Sequence, residues 1–162
     1  MQPNIQHFSP VILAGFSFFG DPFHSHAGWS GENEIGRLWQ RLVGFMALGS
    51  FLPPDPGVSY EIHLQNHESS RTGEFEVFAG FEVKSMQNIP VELCLKILPA
   101  GDYAVFTLRG EQIHSDEPII DQWFAASGRR PAHAFFAQRY DARFKGLDRL
   151  AESEVDLLVP IQ

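Results

Sequence analysis

Leu95-Lys-Ile-Leu-Pro-Ala-Gly-Asp-Tyr-Ala-Val-Phe-Thr-Leu-Arg-Gly110 lies over Ile5-Gln-His-Phe-Ser-Pro-Val-Ile-Leu-Ala-Gly-Phe-Ser-Phe-Phe-Gly20 without a gap, at an offset of 90 residues. Ala14 meets Ala104, Phe16 meets Phe106, Gly20 meets Gly110 and Phe8 meets Leu98, with Ile12 over Asp102 as a mismatch. After each copy the same signals return in the same order: a loop, one helix and two more strands. The period exceeds that of stacked solenoid repeats. The reading is therefore a β-rich half present twice and closed on itself about a pseudo-dyad, with the crevice between the halves as a natural ligand site.

Two stretches outside the repeat carry helical periodicity. From residue 32 to about 48, Ile35, Leu38, Trp39, Leu42 and Phe45 recur at spacings of three and four, and Gly49 stops the pattern. A second helix starts with Asp116 as N-cap and Pro118 in its first turn; Ile119, Ile120, Trp123 and Phe124 form its apolar side, and Gly128 is the C′ residue. Phe75, Val77, Ala79, Phe81 and Val83 alternate with Glu74, Glu76, Phe78, Gly80 and Glu82, the period of a strand. Further strands are expected at 11–19, 60–64, 93–98, 103–108, 135–140 and 155–161, with loop chemistry at 53–57 and 66–73. Nothing reads as an interdomain linker, so residues 1–162 form one domain. The fold class is α+β, a twisted antiparallel barrel-like sheet of two duplicated halves, with two main helices around a central crevice.

Composition bounds the function. A chain of 162 residues buries roughly two-thirds of its unfolded surface and needs no disulfide or metal staple, in keeping with the single Cys94. Twenty acidic against twelve basic residues, a formal charge of −8, argue against a nucleic-acid surface, which needs clustered Lys and Arg. No secretory signal or spanning segment is visible, so a cytoplasmic protein with no membrane partner is expected. Fifteen Phe, three Tyr and three Trp call for a thick core or an aromatic-lined cavity.

The stretch 98–110 (LPAGDYAVFTLRG) resembles a hallmark of the gyrase-inhibitor-like (GyrI-like) family, which also supplies effector-binding domains of AraC-type and multidrug-responsive transcription regulators. Ala14-Gly15-Phe16, Glu34-Ile35-Gly36-Arg37-Leu38-Trp39, Tyr60, Trp123, Gln138-Arg139-Tyr140-Asp141 and the closing strand 155–161 complete the resemblance, in order along nearly the whole chain. It implies a pocket for bulky hydrophobic aromatic molecules, cations among them; with the repeat beginning at Ile5 and the last strand reaching Ile161, a stand-alone module with no DNA-binding segment on either side is expected. It also implies a glutamate on the strand containing Phe136 and Asp141, and here that position holds Gln138. A neutral amide offers hydrogen bonds where a carboxylate would attract a cation. Some relatives hydrolyse strained electrophiles with this glutamate, so its replacement also argues against an enzyme.

The resemblance places Trp39, Tyr60 and Tyr140 in the pocket, and strand alternation puts Phe136 on the face of Gln138 and Tyr140. Phe23 and Trp29, in the long loop 21–31, are candidates for a lid. If a cation binds, a substitute acid is needed, and Glu82 or Glu76 is proposed for it; Glu61, next to Tyr60, is expected to point away. Each aromatic taken singly also reads as core. His24 and His26 stand two apart in a loop with no second ligand cluster, and Cys94 sits amid apolar strand residues, so no metal, cofactor or nucleophile is expected. The leading reading is an effector- or drug-binding module acting with a separate regulator. The alternative is a gyrase-inhibitor-like module that contacts a protein partner through its acidic surface. An enzyme ranks third, and gains if a carboxylate or histidine faces Gln138 within hydrogen-bond reach.

Overall fold

Eight strands build one antiparallel sheet in the structure, a computed structural model that describes residues 1–28 and 30–162. They are β1 (Asn4–Phe8), β2 (Val11–Gly20), β3 (Ser59–Leu64), β4 (Phe75–Glu82), β5 (Cys94–Leu98), β6 (Gly101–Arg109), β7 (Phe135–Tyr140) and β8 (Glu154–Ile161). The helices are α1 (Glu34–Ala47), the single turn α2 (Ser69–Thr72) and α3 (Asp116–Ser127), with 3-10 segments at Gly110–Ser115 and Leu147–Glu152.

The sheet order, β1-β6-β8-β7-β3-β4-β2-β5, reads the same from either end once the two halves are exchanged. Each half sends its first strand into the other: β1 pairs with β6, and β5 pairs with β2. The register keeps the repeat residue for residue, because Asn4↔Val105 in one crossover corresponds to Cys94↔Gly15 in the other. Gly15↔Gly80 corresponds in the same way to Val105↔Leu158, and Tyr60↔Gly80 to Ala137↔Leu158. Tyr60 is thus the counterpart of Ala137, and Glu61 that of Gln138. These two counterparts are paired directly with each other, so the pseudo-dyad runs between Glu61 and Gln138.

The strands curl into a half-barrel with β1 and β5 as its edges. One face buries Leu13, Ile62, Phe78, Tyr103, Val105 and Leu158 against one another. The other face carries the helices. Ala14, Phe16, Val77 and Ala79 pack beneath Leu38 and Leu42 of α1, while Phe106, Leu157 and Val159 pack beneath Ile120 and Trp123 of α3. Gly15 and Gly80 face each other at the tightest point between β2 and β4. A Cβ on Gly15 would lie 2.0 Å from the Ala79 carbonyl oxygen, so no other residue fits.

Boundaries differ from expectation for local reasons. α1 begins at Glu34, two residues later than the periodicity suggests, because Asn33 caps it by accepting from Gly36 N at 3.0 Å. Asp116 is the first residue of α3 rather than its cap, and Gly128 ends that helix with φ 68°. The loop at 66–73 contains α2, and β1 is a strand of its own.

Candidate functional site

The helices leave a crevice between α1 and the start of α3, floored by β3 and β7. It has a volume of about 580 Å³, within the size range of small-molecule sites. Strand parity decides its floor. Glu61, His63, Phe136, Gln138 and Tyr140 point into it, with Glu61 opposite Gln138 and His63 opposite Phe136. α1 contributes Ile35 and Trp39, Phe75 comes from β4, and Phe144 and Leu147 close one side.

Two hydrogen-bonded groups meet on this floor. Glu61, 4% exposed, accepts from Trp39 Nε1 through Oε2 at 2.5 Å, and its Oε1 lies 2.7 Å from His63 Nε2. The His63 ring lies between Phe75 and Phe136, with centroids 5.2 and 4.8 Å away. Across the dyad, Tyr140 donates its hydroxyl to Gln138 Oε1, and Gln138 Nε2 donates to Asp116 Oδ2 at 2.8 Å. The Tyr140 ring meets Trp39 edge-on at 5.4 Å. Burial, reinforced by the negative fields of Glu61 and Asp116, holds the Tyr140 phenol protonated well beyond its ordinary range. The crevice is thus aromatic-walled, with a buried acid on one side of the dyad and an amide on the other.

The loop before α1 forms the rim. Asn33, 1% exposed, donates from Nδ2 to Gly28 O at 2.7 Å and to His26 O at 3.3 Å, tying the loop to the helix start. Gly36 permits the approach, since a Cβ there would lie 2.3 Å from Ser30 O. Phe23 lines the rim, its ring 6.4 Å from that of Phe75. Trp29 lies outside the described residues.

Of the residues singled out in the sequence, the crevice gathers Trp39, Phe136, Gln138, Tyr140 and Phe23. Two go elsewhere. Tyr60 points to the opposite face, where it is buried beside Ile62, and Glu82 sits exposed at the end of β4; both border a separate hollow with Lys84 and Arg139. Glu76 is paired with Lys96 at 2.6 Å. The expectation for Glu61 was inverted: it does point opposite to Tyr60, but the crevice lies on the Glu61 side. His63 and Asp116 were also missed as crevice residues. A polar pair, Glu61 and His63, two apart on a strand whose other face is apolar, was the available signal. Among the described residues, no group of three His, Cys, Asp or Glu side chains could hold a metal ion, and no helix is long and apolar enough to cross a membrane.

Comparison with known proteins agrees with this geometry. A family model described as the GyrI-like small molecule binding domain matches residues 1–162. The transcriptional regulator BrlR of Pseudomonas aeruginosa is 36% identical over 155 residues, which cover 92% of this chain and 51% of the regulator; the chain therefore spans about half of that relative's length. Similar solved structures include SAV2435 bound to tetraphenylphosphonium (TM-score 0.71, 13% identity, 100% of this chain and 94% of that one). EcmrR in its complex with DNA has a TM-score of 0.66 at 14% identity, over 99% of this chain and 57% of that one. A hydrolase encoded by lin2189 of Listeria innocua has a TM-score of 0.56 at 11% identity, over 99% of this chain and 92% of that one.

Proposed function

Because the chain belongs to the GyrI-like small-molecule-binding family, we propose that its crevice binds bulky aromatic cations and that occupancy is passed to a transcription regulator. The observation that carries the cation is Glu61, a buried carboxylate on the floor of an aromatic crevice. An ionised acid in such surroundings attracts a desolvated cation far more strongly than it would in water, and the faces of Trp39, Phe75 and Phe136 add cation–π attraction. Gln138, where the family resemblance implies an acid, is neutral; its partner across the dyad would supply the charge instead. The likeness to the BrlR regulator supports the regulatory link. This reading is of binding without turnover, since both oxygens of Glu61 are already engaged, by Trp39 and His63.

The test is calorimetric titration with tetraphenylphosphonium and with tetraphenylborate, an anion of nearly the same shape. Saturable binding of the cation with at least tenfold preference over the anion is expected. Equal affinities would remove Glu61 as the selecting charge, and no binding of either would remove the small-molecule reading.

One observation favours hydrolysis as a second reading: the Asp116 carboxylate faces Gln138 within hydrogen-bond reach. Incubation with an aromatic epoxide, followed by mass spectrometry of the products, tests it. Diol formation above the rate in buffer would establish an enzyme.

A further inference from the structure

The acid on the crevice floor does not stand alone, and its partner is titratable. His63 Nε2 lies 2.7 Å from Glu61 Oε1, and His63 is 8% exposed. Two protonation states of this pair matter to a ligand. With the imidazole neutral and the carboxylate ionised, the pair presents one negative charge to the crevice. One proton added to the imidazole cancels that charge. The setting accommodates the added proton, because an imidazolium between the rings of Phe75 and Phe136 would face two π-systems and a carboxylate.

Resting on the reading of the crevice as a cation site, we propose that His63 makes this site a proton-for-cation exchanger: an aromatic cation binds by displacing the proton from the Glu61–His63 pair. The ligand class is thereby narrowed to organic cations that compete with a proton, and His63 becomes the residue that sets the pH range over which they are held. Linkage makes the exchange reciprocal: whatever factor protonation costs the cation, the cation costs the proton.

The other titratable groups facing this pair are few. Tyr140, on β7, stays protonated throughout the range in which an imidazole titrates. Asp116 and Glu117, at the start of α3, add negative charge on the far side, with Asp116 held by Gln138. His114, at the end of the 3-10 segment before α3, also lines the crevice, and its Nδ1 is 3.6 Å from a Glu111 carboxylate oxygen. It is the competing source of a pH effect. On α1, the crevice residues are uncharged.

Calorimetry of tetraphenylphosphonium binding to the intact chain, repeated in buffers of different ionisation enthalpy between pH 5 and 8, measures the protons released. The expected result is release of up to one proton per cation. Affinity should level off at high pH and fall about tenfold per pH unit once the pair is protonated. In His63→Asn the release should vanish and the affinity should become independent of pH. Histidine ring NMR of the unmodified chain gives the same information without a variant: the His63 signals should move to the deprotonated position when the cation is added at pH 5. Release that persists in His63→Asn, or His114 signals that move while those of His63 do not, would overturn the assignment. Binding with no proton release would overturn the exchange while leaving the cation site standing. No binding at any pH would remove both.

Discussion

The indole N–H of Trp39 reaches from α1 to Glu61 on β3 and donates to Oε2 at 2.5 Å, fixing the helix over the middle of the sheet. Trp39 therefore does two things at once: it walls the crevice and holds its acid. Trp39→Phe keeps a ring and loses the donor, whereas Trp39→Ala loses both. The expected order of tetraphenylphosphonium affinity is unmodified chain, then Trp39→Phe, then Trp39→Ala, with the last at least tenfold weaker. Titration of variants shown to be folded by circular dichroism checks this.

Glu61→Gln keeps the shape of the side chain and removes its charge. A unit charge some 6 Å from a bound cation is worth about 2–3 kcal/mol at an effective dielectric constant near 20. The cation should bind roughly thirtyfold or more weakly, while tetraphenylborate gains affinity. Paired titrations read the ratio. A cation affinity unchanged by this substitution would place the ligand elsewhere.

Gln138→Glu would set a second carboxylate against Glu61 and against Asp116, now 2.8 Å from the Gln138 amide. Like charges at that spacing raise the affinity of one group for a proton in the folded state. A group so raised binds more protons folded than unfolded, so stability falls as pH rises above about 4, the unfolded carboxylate value. The melting temperature of Gln138→Glu should trail the unmodified chain more at pH 8 than at pH 5. Tetraphenylphosphonium should narrow the gap at pH 8, because a cation relieves the crowding of negative charge.

Asp156 on β8 is 4% exposed and serves two arginines: Arg139 Nη2 and Arg143 Nη2 each lie 2.6 Å from Oδ2, and Thr107 Oγ1 donates to Oδ1 at 2.8 Å. Burial alone would raise the affinity of this carboxyl for a proton, yet the hydrogen bonds from Arg143, Arg139 and Thr107 together hold it below the ordinary carboxylate range. Its stabilisation is present above the unfolded value, about pH 4, and is lost as pH falls through the lowered folded value. Asp156→Asn should cost about 2–3 kcal/mol at pH 7, less than a fully buried pair because both arginines are partly exposed. Thermal melts of the two forms should differ most near neutrality and converge in acid.

The doubled β-rich architecture was legible because the two copies of the first two strands share a register that the exchanged pairings keep. The two helices were legible from their apolar spacing, and the grouping of Phe136, Gln138 and Tyr140 from parity along one strand. What misled was β3, whose four central residues, Tyr60, Glu61, Ile62 and His63, are all buried. Tyr and Ile alternating with Glu and His looks like core against solvent, but here it is core against crevice. Alternation gives the two faces of a strand without saying which is hollow, and that depends on where α1 and α3 lie across the sheet. Asp116 escaped for a related reason: at a helix start its carboxylate read as a local cap, while in the fold Oδ2 is taken by Gln138, 22 residues away in sequence.

The pseudo-dyad between Glu61 and Gln138 has a further consequence. Two identical half-length chains assembled about a true twofold axis must present the same residue from both sides of that axis. They would set glutamate against glutamate, and the two acids would share a proton, or glutamine against glutamine, with no charge at all. A carboxylate set against a neutral amide across the axis is forbidden to any symmetric homodimer of this design. Joining the halves in one polypeptide lifts that prohibition, and the joined chain spends its freedom at the single pair where symmetry would have been most restrictive.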